Sequence, residues 1–261
     1  MTGIDINQFE EHILSIRLSA DGFSFSIHHP QKRDDWNYSL YPINTAYSMT
    51  ANLKNMIAAT EVLRKSYKRI NVLIDTPRMT PIPFDIFEDD QLEKLFYYNF
   101  SPHRNETVLC NILEKSNMAV LFGMDKHTLQ LLNEQYPQAR IFTTTSPLIE
   151  TFSQESRHPN RKSLYTYILK NSMQVFAFDR GKLLLTNTFS CKHTSDRVYY
   201  LLYIWQQLGF SQEKDQLYLT SCLSDKQDLT KELQKFLRHI EEIVPERKDI
   251  PFDMQTLLIC E

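Results

Sequence analysis

Leu14-Ser15-Ile16-Arg17-Leu18-Ser19-Ala20-Asp21-Gly22-Phe23-Ser24-Phe25-Ser26-Ile27 is the stretch that decides the fold. Apolar residues stand at 14, 16 and 18 and again at 23, 25 and 27, with polar residues mostly between them. Period two on both sides of a turn predicts two half-buried strands joined as a hairpin, with Asp21-Gly22 supplying the turn conformation. Residues 37–41, NYSLY, extend the run to a third strand. A helix follows, with Thr50 as its N-cap and Leu53, Met56, Ile57, Leu63 and Tyr67 as its apolar stripe. Val72-Leu73-Ile74 is then a short buried strand that ends at Asp75-Thr76-Pro77.

The same script returns after residue 163. Residues 164–169 read as a strand, Lys170-Asn171-Ser172 as a turn, 174–178 as the return strand and 183–189 as a third. Thr194 or Ser195 caps a helix whose apolar face is Val198, Leu201, Leu202, Trp205 and Leu208, with Gly209 at its C-terminal cap. Residues 217–219 are a strand, Ser224 or Asp225 caps a helix through Leu229, Leu233, Leu237 and Ile240, and 256–260 closes the chain as a strand.

Between the halves lies additional structure. Residues 77–83 hold three prolines and must be extended or turning. Residues 88–98 read as a helix, and 107–113 with 118–122 as a strand pair. Asp125 caps a helix with Leu129, Leu132 and Tyr136, residues 139–142 form a strand, and Ser146-Pro147 opens another helix. Residues 153–163, SQESRHPNRKS, have no apolar residue apart from the proline and read as a linker. The organisation is a first domain at 1–154 with a helix and strand pair inserted around 77–123, a linker at 155–163, and a second domain at 164–261.

Each half thus reads strand, strand, strand, helix, strand, helix, strand. That order, duplicated around a linker, resembles the actin-like ATPase (ribonuclease H-like) superfold, an α/β class with mixed sheets and two domains facing across a cleft. Residues 107–152 are similar to the stretch before the second domain in type IV pilus assembly and general-secretion members of that superfold. The whole chain resembles a Bacteroidetes family of unknown function with the actin-like fold. The resemblance implies a phosphate-binding turn in each half, an Asp-Gly near the end of the first strand with the Asp holding a divalent metal, and a glycine-paired adenosine loop late in the second half. Phosphates need unobstructed backbone donors, and Mg²⁺ needs carboxylate oxygens.

The residues at those places differ. In the first half Arg17 stands where the Asp would be, with Ser19 in the loop and Asp21 later in the turn. In the second, Lys170, Asn171 and Ser172 supply neither Asp nor Gly. The adenosine region offers Thr220, Ser221 and Cys222 without glycine. The chain has five glycines in 261 residues, against about 18 at average usage. Gly22 and Gly181 suit turns, Gly209 a helix cap, Gly123 a strand-to-helix junction, and Gly3 lies near the start. Asp75 is the remaining acid of interest, at a strand end where ribonuclease H-like nucleases place a carboxylate. Two-metal chemistry needs several convergent acids, and Arg17 takes the first-strand place.

Composition narrows the function classes. The apolar fraction is 42%, the charged fraction 23% and the net charge −3. Without a dense Lys/Arg run, nucleic acid is not the expected partner. No signal peptide or membrane span is visible, and four scattered cysteines, Cys110, Cys191, Cys222 and Cys260, form no metal-ligand spacing, so a cytoplasmic location with reduced thiols is expected. His28 and His29 are adjacent and would face opposite sides of a strand. Cys191 and His193 have no third partner for nucleophilic catalysis. His127 and His239 fall in expected helices. The helix around 199–205, YYLLYIW, is unusually aromatic, and Tyr199 or Tyr203 on its far face would favour a partner contact.

The expectation is an actin-like protein without ATPase chemistry, catalytic residues, metal or cofactor. It would act by binding a protein partner, a homodimer being one option. The alternative is a residual nucleotide or phosphometabolite binder using Ser19, Asp21, Asp75, Lys170, Asn171, Ser172, Thr220 and Ser221. A ribonuclease H-like nuclease is the remote alternative.

Overall fold

A computed structural model describes residues 9–32, 35–221 and 226–257 of the chain. The chain divides into two compact units, Met1–Ile112 with Met118–Ser146, and Leu113–Asn117 with Pro147–Glu261.

In the first unit, β1 (Ile13–Ser19) and β2 (Gly22–His28) form the expected hairpin, and β3 (Trp36–Tyr41) pairs antiparallel with β2. Helix α1 (Met49–Ala59) crosses to β4 (Arg69–Ile74), which lies parallel to β1. The strand β8 (Arg140–Thr143) completes a five-stranded sheet in the order β3-β2-β1-β4-β8. Alternation buries Leu14, Ile16 and Leu18 of β1 with Phe23, Phe25 and Ile27 of β2 against Leu53 and Met56 of α1. Helix α3 (Lys126–Gln135) adds Leu132 to the same core. The Asp125 carboxylate accepts from the Thr128 backbone N–H at 2.8 Å and caps α3 as expected.

The additional structure is a second, smaller sheet, β5-β7-β6, built from β5 (Met79–Pro83), β6 (Glu106–Leu113) and β7 (Met118–Asp125). The helix expected at 88–98 is a 3₁₀ turn, Asp89–Gln91, running into a short α2 (Leu92–Tyr97). Its Phe96 is fully buried against Val108 and Leu121.

The second unit repeats the arrangement. β9 (Lys162–Ile168) pairs antiparallel with β10 (Ser172–Asp179), and β10 pairs with β11 (Lys182–Ser190). After α5 (Thr194–Gln207), β12 (Gln216–Ser221) lies parallel to β9, and β13 (His239–Glu242) parallel to β12. The sheet order is β11-β10-β9-β12-β13, the same pattern as in the first unit. Leu164, Val175, Leu201, Trp205 and Leu217 share one core.

Several local expectations are corrected. Ser48, not Thr50, caps α1, its hydroxyl accepting from Ala51 N–H at 3.2 Å. Thr50 instead donates to Asp125 at 3.2 Å. The helix stops at Ala59, so Leu63 sits in a 3₁₀ turn (Glu61–Arg64) and Tyr67 in the following loop, both still packed on the core. His193 is the N-cap of α5 in place of Thr194 or Ser195, because the Asp196 carboxylate accepts from its backbone N–H at 3.3 Å. Ser224 and Asp225, expected as a cap, lie outside the described residues. Helix α6 (Lys226–Leu233) ends before Ile240 and His239, which belong to β13. The closing strand expected at 256–260 is not formed at its start: Thr256 ends helix α7 (Phe252–Thr256), and residues 258–260 lie outside the described residues.

The stretch 153–163 contains little free linker. Ser153 and Glu155 end helix α4 (Thr145–Glu155), and Lys162 begins β9. Its serines are drawn inward. Ser153 donates to Gly181 O at 2.8 Å and Ser156 to Ser153 O at 3.0 Å. Asp21-Gly22 does not form the central pair of the first turn. Ala20 and Asp21 make the loop, and Gly22 begins β2 with φ +147°. Both central residues have positive φ instead at Arg180 (+52°) and Gly181 (+84°), between β10 and β11. Gly123 is no junction residue. It lies within β7, packed against Glu106.

Candidate functional site

Parallel pairing of β1 with β4 ends at Leu18 beside Ile74. The next residues of each strand, Ser19 and Asp75, therefore emerge side by side. The Asp75 backbone N–H donates to Leu18 O at 2.9 Å, carrying the ladder one step further. The Ser19 hydroxyl donates to Asp75 Oδ2 at 3.2 Å, and the Asp21 backbone N–H donates to Ser19 Oγ at 3.2 Å. Arg17 Nη2 lies 3.6 Å from the same Asp75 oxygen. Three candidates from the sequence, Ser19, Asp21 and Asp75, thus meet at one place, and Arg17 joins them.

The arrangement follows from alternation. Ile16 and Leu18 face the core, so Arg17 must face the other side of the sheet. Its side chain is only 11% exposed and reaches the strand end where Asp75 projects. Of the two acids here, Asp75 is engaged by a guanidinium and a hydroxyl, and Asp21 meets the cluster through its backbone N–H.

In the second unit the parallel register sets Tyr167 beside Thr220 and Ile168 beside Ser221. Lys170 and Asn171 are exposed in the β9–β10 turn, and the Leu169 N–H donates to Ser172 O at 2.9 Å. Asn171 O accepts from Cys191 N–H at 3.0 Å. Thr220 is fully buried, whereas Ser221 is half-buried. The turn therefore presents Lys170, Asn171 and Ser172 beside the end of β12 that carries Ser221. Cys222 lies outside the described residues.

A histidine cluster was only partly legible in the sequence. His28 is buried against the Trp36 ring, with centroids 4.8 Å apart. His29 instead meets His12, ring to ring at 5.4 Å, and its Nε2 lies 3.6 Å from Glu11. His12 Nε2 stands 3.1 Å from Asp35 Oδ2. Burial first, then the neighbouring His12 and Arg69, push the His28 imidazole down to about 4. His12 escaped notice because nothing local marks it; strand pairing brings it to His29. Among the described residues, no group of three His, Cys, Asp or Glu side chains is placed to hold a metal ion.

The cysteines are chemically quiet. Burial pushes the Cys110 thiol up to about 11 and raises that of Cys191 as well. Cys191 donates to Phe189 O at 3.6 Å, a contact that offers no base. On α5 the far face is aromatic. Tyr199 and Tyr203 are 63% and 50% exposed and stack with centroids 6.1 Å apart. Tyr200 continues the strip, at 5.4 Å from Tyr199 and 4.4 Å from Phe189 of β11. No helix of the described residues is long and apolar enough to cross a membrane.

Comparison with known proteins agrees with this architecture. The chain is similar to a Bacteroides thetaiotaomicron protein with an actin-like ATPase fold and unknown function. The identity is 46% over 99% of this chain and 100% of that one, with a TM-score of 0.87. It is also similar in fold to a chain of the PilM–PilN type IV pilus biogenesis complex, at 12% identity over 95% and 97% of the two chains, with a TM-score of 0.58. The fold is thus the actin-like ATPase fold that the duplicated element order implied. No curated protein matches the chain. A family model described as protein of unknown function (DUF3822) matches residues 2–240, and the chain belongs to that family.

Proposed function

We propose that this protein is a non-catalytic member of the actin-like fold that works by binding a protein partner. The observation that carries the reading is the ion pair at the end of β1. Arg17 stands 3.6 Å from Asp75, and Ser19 donates to the same carboxylate. A divalent cation requires carboxylate oxygens free to ligate it. Here the Arg17 guanidinium already pairs with Asp75, the acid at the strand end. The Lys170-Asn171-Ser172 turn supplies no carboxylate, and its side chains crowd a backbone that glycines would have left open to phosphates.

The partner surface is assigned to α5. Tyr199 and Tyr203 present stacked rings to solvent, and exposed aromatics of this kind carry a large share of binding energy in protein interfaces. A protein of the same fold, PilM, is described in complex with PilN. The fold therefore accommodates assembly with another protein.

Calorimetry with Mg·ATP and Mg·ADP tests the first half of the proposal. No saturable heat that depends on Asp21 is expected. Binding tighter than about 100 μM, or roughly 5.5 kcal/mol, that disappears in Asp21→Ala would overturn it. Affinity capture from the native host, paired with a Tyr199→Ala/Tyr203→Ala variant, tests the second. A protein retained by the wild type should be lost with the variant, and equal retention by both refutes the assignment to α5. Sedimentation of the two purified chains shows whether the partner is a second copy.

A further inference from the structure

The end of the first sheet opposite Asp75 carries a basic cavity. β4 begins at Arg69 and β8 at Arg140, and the strands run parallel with Asn71 beside Arg140. Their N-terminal ends therefore open on one side. The connections that lead into them are fastened together. The Tyr136 hydroxyl, after α3, donates to Leu63 O at 2.9 Å, and the Tyr67 hydroxyl donates to Val62 O at 2.9 Å. Between these connections is a cavity of about 680 Å³.

Its chemistry is one-sided. Arg64, Lys65, Lys68, Arg69 and Arg140 line it, and no Asp or Glu side chain does. Lys65 is paired with Glu61 at 2.7 Å. Arg64, Lys68 and Arg140 are exposed, and the chain as a whole is acidic, at −3. A random scatter of 29 cations among 32 acids would mix the signs. Gathering like charges around a concavity costs self-repulsion, which an anionic ligand relieves. Concave walls also focus the field on whatever enters.

We infer that this cavity binds a polyphosphorylated group, held by the forked guanidiniums of Arg64 and Arg140 and the ammonium of Lys68. Guanidinium forks match phosphate oxygens two at a time, and lysine adds a point charge. The volume exceeds what a single phosphate needs and falls in the range of small-molecule sites. Both tyrosine hydroxyls are committed to backbone carbonyls, so the tyrosines contribute ring surface and fixed shape. Phosphates on a soluble metabolite and phosphates on a lipid headgroup share this chemistry. The site lies at the opposite end of the sheet from the Arg17–Asp75 cluster and does not depend on it.

The test uses the full chain with two probes. Titration with sodium tripolyphosphate at about 0.15 M salt should give one site with Kd below about 100 μM. Arg64→Glu/Lys68→Glu should weaken it at least about tenfold with an unchanged melting temperature, since both residues are exposed. If the double variant melts early, Arg140→Gln serves as the second variant and should weaken binding several-fold. Co-sedimentation with phosphatidylcholine vesicles containing phosphatidic acid reads the lipid source. Vesicle binding that requires phosphatidic acid and is lost in the double variant supports the site even where tripolyphosphate does not bind. Binding to neither probe, binding unaffected by the variants, or retention of oligonucleotides alone overturns it. Asp21→Ala should leave tripolyphosphate binding intact. Mg·ATP binding that survives Arg64→Glu/Lys68→Glu would count against the non-catalytic reading and not against this one.

Discussion

Replacing Gly123 by alanine should destabilise the first unit by about 2 kcal/mol, through a single displaced carboxylate. A Cβ at this position would overlap the Glu106 carboxylate, 2.6 Å from its Cδ, and approach Phe96 Cζ to 3.1 Å. Glu106 has little room to yield. Arg78 Nη2 donates to its Oε2 at 2.7 Å and Arg78 Nε to its Oε1 at 2.5 Å. Arg78 is fixed in turn by Ser101 O at 2.7 Å and by the Phe96 and Phe100 rings, 5.5 and 5.0 Å from its guanidinium carbon. Overpacking costs about 1–3 kcal/mol. Breaking a buried pair outright costs about 3–5 kcal/mol, but the Arg78 side chain is 20% exposed and can rehydrate, so only part applies. Alanine regains about 0.5–1 kcal/mol over glycine in a strand. In a Glu106→Ala background the larger obstruction is gone and only the Phe96 Cζ contact at 3.1 Å remains, so Gly123→Ala should then cost less than about 0.5 kcal/mol. The two tryptophans, Trp36 and Trp205, fall one in each unit, so a Trp205→Phe reference lets Trp36 emission follow urea unfolding of the first unit. An equal cost for Gly123→Ala in both backgrounds would refute the mechanism.

Other outcomes follow from the same geometry. His28 titrates near 4 in the folded chain and near 6.5 unfolded. The unfolded state therefore binds more protons between those values, and stability present above pH 6.5 is lost as pH falls through 4. The loss is about 3 kcal/mol; His28→Phe should flatten that part of a urea-unfolding pH series, and an identical slope in both chains contradicts it. The Asn52 side-chain amide donates to Asn44 O, Tyr47 O and Ser48 O at 3.0–3.2 Å, while its Oδ1 accepts from Asn44 N–H at 2.8 Å. Asn52→Asp sets a carboxylate against three carbonyls and should cost about 3 kcal/mol in thermal or urea unfolding, more than Asn52→Ala. Peptide mapping after iodoacetamide at pH 8 should show Cys110 and Cys191 labelled at least about tenfold more slowly in the native chain than in urea, because burial disfavours both thiolates.

The leading hairpins of the two five-stranded sheets were legible because period two is a local signal, whereas β13 was expected as helix. Leu14, Ile16 and Leu18 announce β1 whatever surrounds them, and 164–168 announce β9. The duplicated element order follows from adding such signals. The misreadings came where a tertiary contact overruled a local preference. Thr50 is a good cap residue, yet Asp125 from a distant strand takes its hydroxyl. The serines of 153–163 look like linker until Gly181 O and Ser153 O accept their protons. Gly123 resembled a junction because its real partner, Glu106, lies across the strand pair. The place of His12 in the histidine cluster and the basic cavity were invisible for the same reason. Their members come from segments as far apart as 12 and 35, or 64 and 140, and no spacing along the chain relates them.

The polar cluster at Asp75 was the most legible part of the site, and its geometry shows how residues on one face of a strand can vary while the fold is kept. On β1 the core reads only residues 14, 16 and 18. Arg17 lies on the opposite face, so an acid exchanged for a cation there leaves the packed surface untouched. In the second unit, Tyr167 precedes Ile168 as Arg17 precedes Leu18. It packs against Phe252 at 6.2 Å, while Tyr165 stacks on Phe152 and Tyr218 at 4.4 and 4.5 Å. That face has become an aromatic core of its own. Burial of these rings contributes stability that a polar, phosphate-facing surface would not. The two faces of each central strand are thus under separate demands, one set by the fold and one by the ligand. When the second demand lapses, substitution on that face is limited only by packing and charge pairing. On those faces Arg17 pairs with Asp75 in the first unit, and Tyr165 stacks on Phe152 in the second.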